Sequence, residues 1–538
     1  MSDHSRPYDA IIVGGGLAGL TLARQLHLED PALRVLLAEK RTHPVPEAAF
    51  KVGESSVEVG AHYLQVVLGL EPHLRSQHLE KLGIRYFFPH GDNRDITTRV
   101  EVGPVRFPAV PSFQIDRGRL ENRLLADLRR EGVEALDGCT VGQIELGPDE
   151  HRVTIALRDT VREVRGRFLV DASGRAGLIR RRLGLTRRVT HEANACWFRV
   201  RSPVRVDDWS GDPAWLARVP CGRRWLSTNH LMGRGYWVWL IPLGSGGTSI
   251  GIVADARLHP YGRLNRYERA LDWLREFEPQ CAEILQAKPD DLEDFLALRH
   301  YAHGCDRVFS PDHWALVGEA GVFTDPFYSP GSDFIAIGND ATADLIARRA
   351  RGEDVRARVE SFNTMYLRLF DGFLRLYDGQ YPLMGNAQVM TAKASWDNAC
   401  YWAITGLLYF QRRYRCPGFL RRIEPLMRRF FVLHARMQGF LRAWDVADSH
   451  AYSAEFANVV QIEWLRELQA DLAGPSMEDA ALQARLERNL SLLERFAGTW
   501  QALAISRTPG LTAFTPAMDP VDISELCLTA LAPAGLSS

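Results

Sequence analysis

The 538-residue sequence predicts an α/β fold with three textures: a parallel sheet crossed by helices, a strand-rich middle, and a helical C-terminal part. Three observations predict it. Residues 8–38 read as strand, glycine turn, helix, strand. Short β-branched apolar runs return at 168–171 and 314–318, and residues 190–255 are crowded with strand-like runs such as WFRV, GYWVWLIPL and TSIGIV. From about residue 356 to 505 helical periodicity takes over, with many aromatics and arginines. Hydrophobic residues make up 46% and charged residues 24%, values that exclude a disordered or collagen-like chain. The 65 basic residues balance 66 acidic ones, which excludes nucleic-acid binding through bulk charge. Eight scattered cysteines contain no CxxC pair, so no metal site and no disulfide framework is expected. The N-terminus lacks a signal-type apolar region, and no apolar run reaches the ~18 residues of a membrane span. A cytoplasmic protein without an integral membrane segment is expected.

Taken in order, YDAIIV (residues 8–13) is a buried strand and LAGLTLARQL a helix. Between them lies Gly14-x-Gly16-x-x-Gly19. Glycines there let the backbone approach a pyrophosphate at the helix N-terminus, where the dipole and free N–H groups favour negative charge. RVLLA (34–38) is the next strand and ends at Glu39, 20 residues past Gly19, where a carboxylate can hold ribose hydroxyls. FLVDASG (168–174) sets Asp171 after a strand, and WALVGEAGVFTDP (314–326) does the same with Glu319 and Asp325. Gly244-Ser245-Gly246-Gly247 sits between strands without a helix and reads as a hairpin turn. One nucleotide site is therefore expected.

The segments around Asp171 and Glu319 resemble the secondary flavin-contact segments of the aromatic-hydroxylase superfamily of FAD enzymes, although GEA stands where GDA is usual. Three further motifs are Gly53-Glu54-Ser55, Trp237-x-Trp239-x-Ile241-Pro242 and Phe323-x-x-Pro326-x-x-Ser329-x-Gly331. Together they resemble the flavin-dependent halogenases, and the phenol- and pyrrole-type members more than the tryptophan type. The resemblance covers roughly residues 8–350. It implies a single-FAD, Rossmann-like domain of the aromatic-hydroxylase type, with a mixed-sheet substrate part and a C-terminal helical module. The corresponding boundaries are 1–186 and 301–355 for the FAD part, 187–300 for the substrate part, 356–510 for the helical module and 511–538 for a tail. It implies FAD contacts at Gly14, Gly16, Gly19, Glu39, Ser55, Asp171, Glu319 and Asp325.

The resemblance also implies the reaction. FADH2 from a separate flavin reductase, O2 and a halide ion yield hypohalous acid, which reaches a lysine beside an electron-rich aromatic or conjugated substrate. That substrate is free or held on an acyl or peptidyl carrier protein. The alternative on the same scaffold is a flavin monooxygenase or dehydrogenase. Lys81, 28 residues past Gly53, stands where the catalytic lysine is expected, in a chain with only five lysines among its 65 basic residues. Lys51 is the rival. At period 2, Trp237, Trp239 and Ile241 share one strand face and make a bulky wall, which the resemblance places between flavin and substrate. Ser329, Pro330 and Gly331 are implied to lie beside the halide, but proline has no N–H, so one donor is lost. Tyr328 replaces the glutamate of tryptophan-type members, which points to a phenol-like substrate. The arginine-rich run 412–444 reads as a solvated helix face, or else as a docking face for a carrier protein or membrane surface.

Overall fold

The computed structural model describes residues 6–47, 52–220, 222–449, 451–515 and 518–531, so Lys51 lies outside the described residues. A five-stranded parallel sheet runs in the order Trp314–Leu316, Leu169–Asp171, Ala10–Val13, Val35–Ala38 and Glu134–Leu136. Its first strands are short and wholly apolar because both faces are covered, as parallel sheets require. The helix Leu17–Glu29 packs against the helices Arg117–Arg130 and Gly331–Ala350, which closes the nucleotide-type domain from segments more than 300 residues apart in sequence. Two of the fingerprint glycines are sterically obligatory. Gly14 holds φ +112° and a Cβ there would lie 2.3 Å from the Ala172 carbonyl oxygen. A Cβ on Gly19 would lie 1.9 Å from the Gly14 carbonyl oxygen.

An eight-stranded mixed sheet carries the middle of the chain. Its order is Leu292–Leu298, Ala193–Val200, Thr248–Asp255, Tyr236–Pro242, Thr228–Gly233, Ile84–Phe87, Glu101–Gly103 and Phe456–Asn458. Gly244–Gly247 is the turn between two of these antiparallel strands. The period of two sorts the sheet into two cores. Val238, Leu240, Ile250 and Ile252 face a satellite core closed by the helices Tyr267–Phe277 and Pro279–Gln286. Trp237, Trp239, Ile241 and Val253 face the main core.

The helical segment is not a free-standing module. The helix Ala387–Cys400 is buried between Glu424–Ala447 and Asp479–Arg507, and its side chains join the same hydrophobic core as the parallel sheet. The chain then returns to the mixed sheet, where Phe456–Asn458 pairs in parallel with Glu101–Gly103. The arginines of the 412–444 run are largely engaged within the molecule. Arg413 and Arg422 meet Asp479, Arg415 meets Glu29 and Asp340, Arg428 meets Glu424, and Arg429 meets Glu494. The run ties helices to one another and to the fingerprint helix. No described helix is long and apolar enough to cross a membrane, and the described residues contain no cluster of metal-ligating side chains.

Candidate active site

At the fingerprint turn Gly16 has nothing within 4 Å of where a Cβ would stand, so the backbone there is open to a phosphate. Glu39 closes the turn. It accepts the Gly15 N–H at 2.5 Å and the Arg41 N–H at 2.8 Å. Leu17, the first residue of the fingerprint helix, lines a cavity of about 100 Å³ whose wall includes Glu54, Ser55, Glu319, Asp325, Ser329 and Gly331. The arrangement is a glycine turn open to a phosphate, an acid that closes it, and a cavity at the helix N-terminus. Burial raises the Glu319 carboxyl, and the charges of Arg175, Arg117 and Arg180 pull it partly back.

Two of the expected contacts differ in kind. Asp171 is committed to its own loop, accepting the Ser173 N–H at 3.0 Å, the Ser173 hydroxyl at 2.5 Å and the Ile179 N–H at 2.8 Å. Its carboxylate shapes the loop behind Gly14, and it is not among the residues lining the cavity. Asp325 lines the cavity, yet its oxygens also accept Tyr301 Oη at 2.5 Å, Tyr381 Oη at 2.6 Å, His191 Nε2 at 2.7 Å and the Phe327 N–H at 3.0 Å. A carboxylate so engaged fixes the cavity wall.

The tryptophan wall forms the far side. Trp237 and Trp239 stand with ring centroids 5.6 Å apart, and both line the cavity with Ile241. Trp237 Nε1 donates to Tyr381 Oη at 3.0 Å and Trp239 Nε1 to Ser249 Oγ at 3.2 Å. Gly251, opposite Trp239 on the next strand, makes room for the indole, because a Cβ there would lie 2.2 Å from the ring.

Ser329 holds φ +60°, unusual for a residue with a side chain and typical of strain kept at a functional site. Pro330 follows with φ −76° and caps the 20-residue helix Gly331–Ala350. Proline removes one donor, but the next two N–H groups, of Gly331 and Ser332, have no partner among the described residues. Gly331 and Ser332 both line the cavity, and Ser332 Oγ is buried without a partner.

Lys81 is 1% exposed. Its Nζ donates to Ser55 Oγ at 2.9 Å and to the Ser56 carbonyl oxygen at 3.0 Å. Ser55 lines the smaller cavity, while Lys81 lines a second one of about 340 Å³ with Glu58, Ile84, Tyr86, Ser395, Asn398 and Trp402. Lys81 therefore stands in the partition between the two. Burial lowers its pKa to about 8, although the charges of Glu58 and Asp333 resist the shift. Asp333, on the first turn of the Gly331–Ala350 helix, is raised by burial to about 7, while the Tyr401 hydroxyl at 2.7 Å and the Gly60 N–H at 2.8 Å oppose the rise. A pocket of about 70 Å³ shares Val57, Glu58, Ile84 and Asn398 with the larger cavity and reaches Tyr328, Pro330, Asp333 and Asp397. The Tyr328 hydroxyl donates to Asp397 at 2.9 Å, and Asp397 is paired with the buried Lys393 at 2.8 Å.

Residues 7–238 match the sequence family described as FAD binding domain. Flavin-dependent halogenase chlA of Dictyostelium discoideum is 27% identical over 77% of this chain and 72% of its own. The 1H-pyrrole-2-carbonyl-[peptidyl-carrier protein] chlorinase of Pseudomonas fluorescens is 25% identical over 70% of this chain and 81% of its own. The crystal structure of halogenase PltM in complex with phloroglucinol and FAD shares the fold, with a TM-score of 0.64 at 17% identity over 91% of this chain and 96% of that one. The chain is similar to flavin-dependent halogenases over most of its length. Its matched FAD binding domain makes FAD its cofactor. The fold likeness to a halogenase extends well past residue 350, where the sequence motifs stop.

Several residues of the two cavities carry no motif. Arg117 opens the helix Arg117–Arg130, lines the smaller cavity, and is lowered to about 10 by burial. His230 lines the same cavity, Glu58 lines the larger one, and Asp333 lines the pocket beside it. The scarcity of lysine, five among 65 basic residues, signals Lys81, but nothing comparable marks an arginine, a histidine or an acid in ordinary surroundings.

Proposed function

We propose that this halogenase acts on an electron-rich, phenol-like aromatic held in the larger cavity, with FADH2 delivered by a separate reductase. Lys81 carries the reading: a buried amine, lowered to about 8, stands in the partition between the two cavities. A halide would rest at the N-terminus of the Gly331–Ala350 helix on the Gly331 and Ser332 N–H groups. Bound FADH2 would reduce O2 to the peroxide level, the oxidant that a halide needs. The Trp237 and Trp239 rings keep an organic substrate out of the smaller cavity. Lys81 then holds or carries the halogen at the substrate side, and Glu58, lining the larger cavity, is placed to accept a phenolic proton. Tyr328 supports the phenol reading, since its hydroxyl is spent on Asp397 and a phenol activates its own ring. PltM, which shares the fold, was captured with phloroglucinol, itself a phenol.

The test supplies FAD, an NADH-dependent reductase, bromide and a panel of phenols and carrier-bound pyrroles, with products read by mass spectrometry. Brominated phenols that require the reductase are expected. Oxygenated products without halogen, or NADPH-driven turnover by this chain alone, would replace the reading with the monooxygenase one.

A further inference from the structure

Between the smaller cavity and Lys81 stand two polar side chains that the proposed chemistry has not used. His230 is 1% exposed and lines the smaller cavity, and its Nδ1 is buried without a hydrogen-bond partner. Tyr86 is 4% exposed and lines the larger cavity beside Lys81, and its hydroxyl is also buried without a partner. Strand register makes them neighbours. His230 faces Tyr86 on one side and Trp239 on the other, and all three point to the same face of the sheet. Their rings close the partition: His230 lies 5.5 Å from Tyr86, 4.8 Å from Trp237 and 5.2 Å from Phe327, centroid to centroid.

An unmet donor or acceptor in a packed interior is costly, and two beside each other ask for a guest that satisfies both. The imidazole is neutral, because burial and then the nearby Lys81 charge hold its pKa well below 6.5. A neutral imidazole offers one acceptor nitrogen. The Tyr86 phenol is held protonated by burial and by the Asp397 charge, and offers a donor.

We propose that His230 and Tyr86 form a guide that hydrogen-bonds hypohalous acid on its passage from the smaller cavity to Lys81, an inference that rests on the halogenase reading above. The acid's single O–H donates to the imidazole nitrogen, and its oxygen accepts the Tyr86 hydroxyl. No covalent bond is made or broken, so the halogen reaches the lysine still electrophilic. Without the pair, the acid meets the Trp237 and Phe327 rings there with fewer polar partners, and more of it escapes to solvent.

The test uses the full-length, FAD-loaded protein with a reductase and bromide. It measures two fates of the oxidant together: brominated substrate, and acid caught by a scavenger in solution. His230→Phe keeps a ring against Trp237 and Phe327 but removes the acceptor. Its ratio of scavenged to delivered bromine should rise roughly fivefold, the factor for one neutral hydrogen bond. His230→Gln, which restores an acceptor, should fall between, and Tyr86→Phe should shift the ratio the same way. FAD affinity, read by flavin fluorescence, reports folding of each variant. Independently of turnover, nitrogen chemical shifts of labelled histidine should show a ring, lost in His230→Phe, that stays neutral well below the ordinary midpoint of 6.5. An unchanged ratio in His230→Phe, or a His230 that titrates near 6.5, overturns the guide. A wild-type protein that yields only hydrogen peroxide with every halide overturns the halogenase reading instead.

Discussion

Replacing Lys81 by arginine separates a relay amine from a mere buried cation. Only a neutral amine can take up halogen at nitrogen or pass it on by an N–halogen bond. With its pKa lowered to about 8, about one Lys81 in ten is neutral at pH 7. At the ordinary lysine value of 10.5 about one in three thousand would be, so burial raises the reactive population about 300-fold. A guanidinium has no accessible neutral form. Lys81→Arg should therefore lose halogenation to below one-hundredth of the wild-type rate while flavin oxidation by O2 continues. Wild-type product formation should climb with pH, about tenfold per unit below 8, and level off above it.

Stability supplies a second reading of the same site. Between pH 8 and 10.5 the unfolded chain binds more protons at this lysine than the folded one, so stability rises with pH through that window. Near pH 7 burial of the ammonium costs about 3 kcal/mol. Lys81→Met removes that cost and loses two hydrogen bonds of about 1 kcal/mol each. Its melting temperature at pH 7 should therefore not fall. The assay is single-turnover bromination with photoreduced FAD, alongside thermal unfolding. Halogenation by Lys81→Arg at the wild-type rate would refute the reasoning at its central residue.

Halide competition should favour bromide over chloride, because Pro330 leaves fewer N–H donors and chloride is harder to desolvate; equal turnover in mixed halide would count against this. Gly251→Ala should lower the melting temperature by an overpacking cost of about 1–3 kcal/mol and change the Trp239 fluorescence, since the new Cβ would meet the indole at 2.2 Å; a silent variant would mean the ring is not held there. Asp333 is raised from 3.8 to about 7, so the stability it contributes is present below pH 3.8 and lost as pH rises through 7. Asp333→Asn should accordingly gain about 4 kcal/mol in urea unfolding at pH 8 and nothing at pH 3; equal gains at both would dismiss the shift.

What could be read from the chain was whatever sterics or periodicity enforce locally. Gly14 and Gly19 are legible because no other residue fits between strand and helix. Trp237, Trp239 and Ile241 are legible because alternate residues share a face. Lys81 stands out through scarcity and through its spacing from Gly53. Asp171 illustrates the limit: its position after the strand is readable, but the turn of its carboxylate toward Ser173 and Ile179 is decided by the loop that folds around it. His230 and Tyr86 become neighbours only through a strand register spanning 144 residues, which no local pattern encodes. Pro330 counts as a lost donor in the sequence, while the helix it caps presents two more N–H groups just beyond. Phe456–Asn458 is three residues long, too short for any period to reveal the strand that ties the helical segment to the sheet.

That late strand has an architectural consequence. The larger cavity is walled on one side by Lys81, Ile84 and Tyr86, and on the other by Thr391, Ala394, Asn398, Val459 and Gln469. The larger cavity is thus a seam between distant stretches of the chain, and the sheet edge at Phe456–Asn458 holds them together. Loss of that three-residue pairing would open the cavity without touching a residue of the glycine turn.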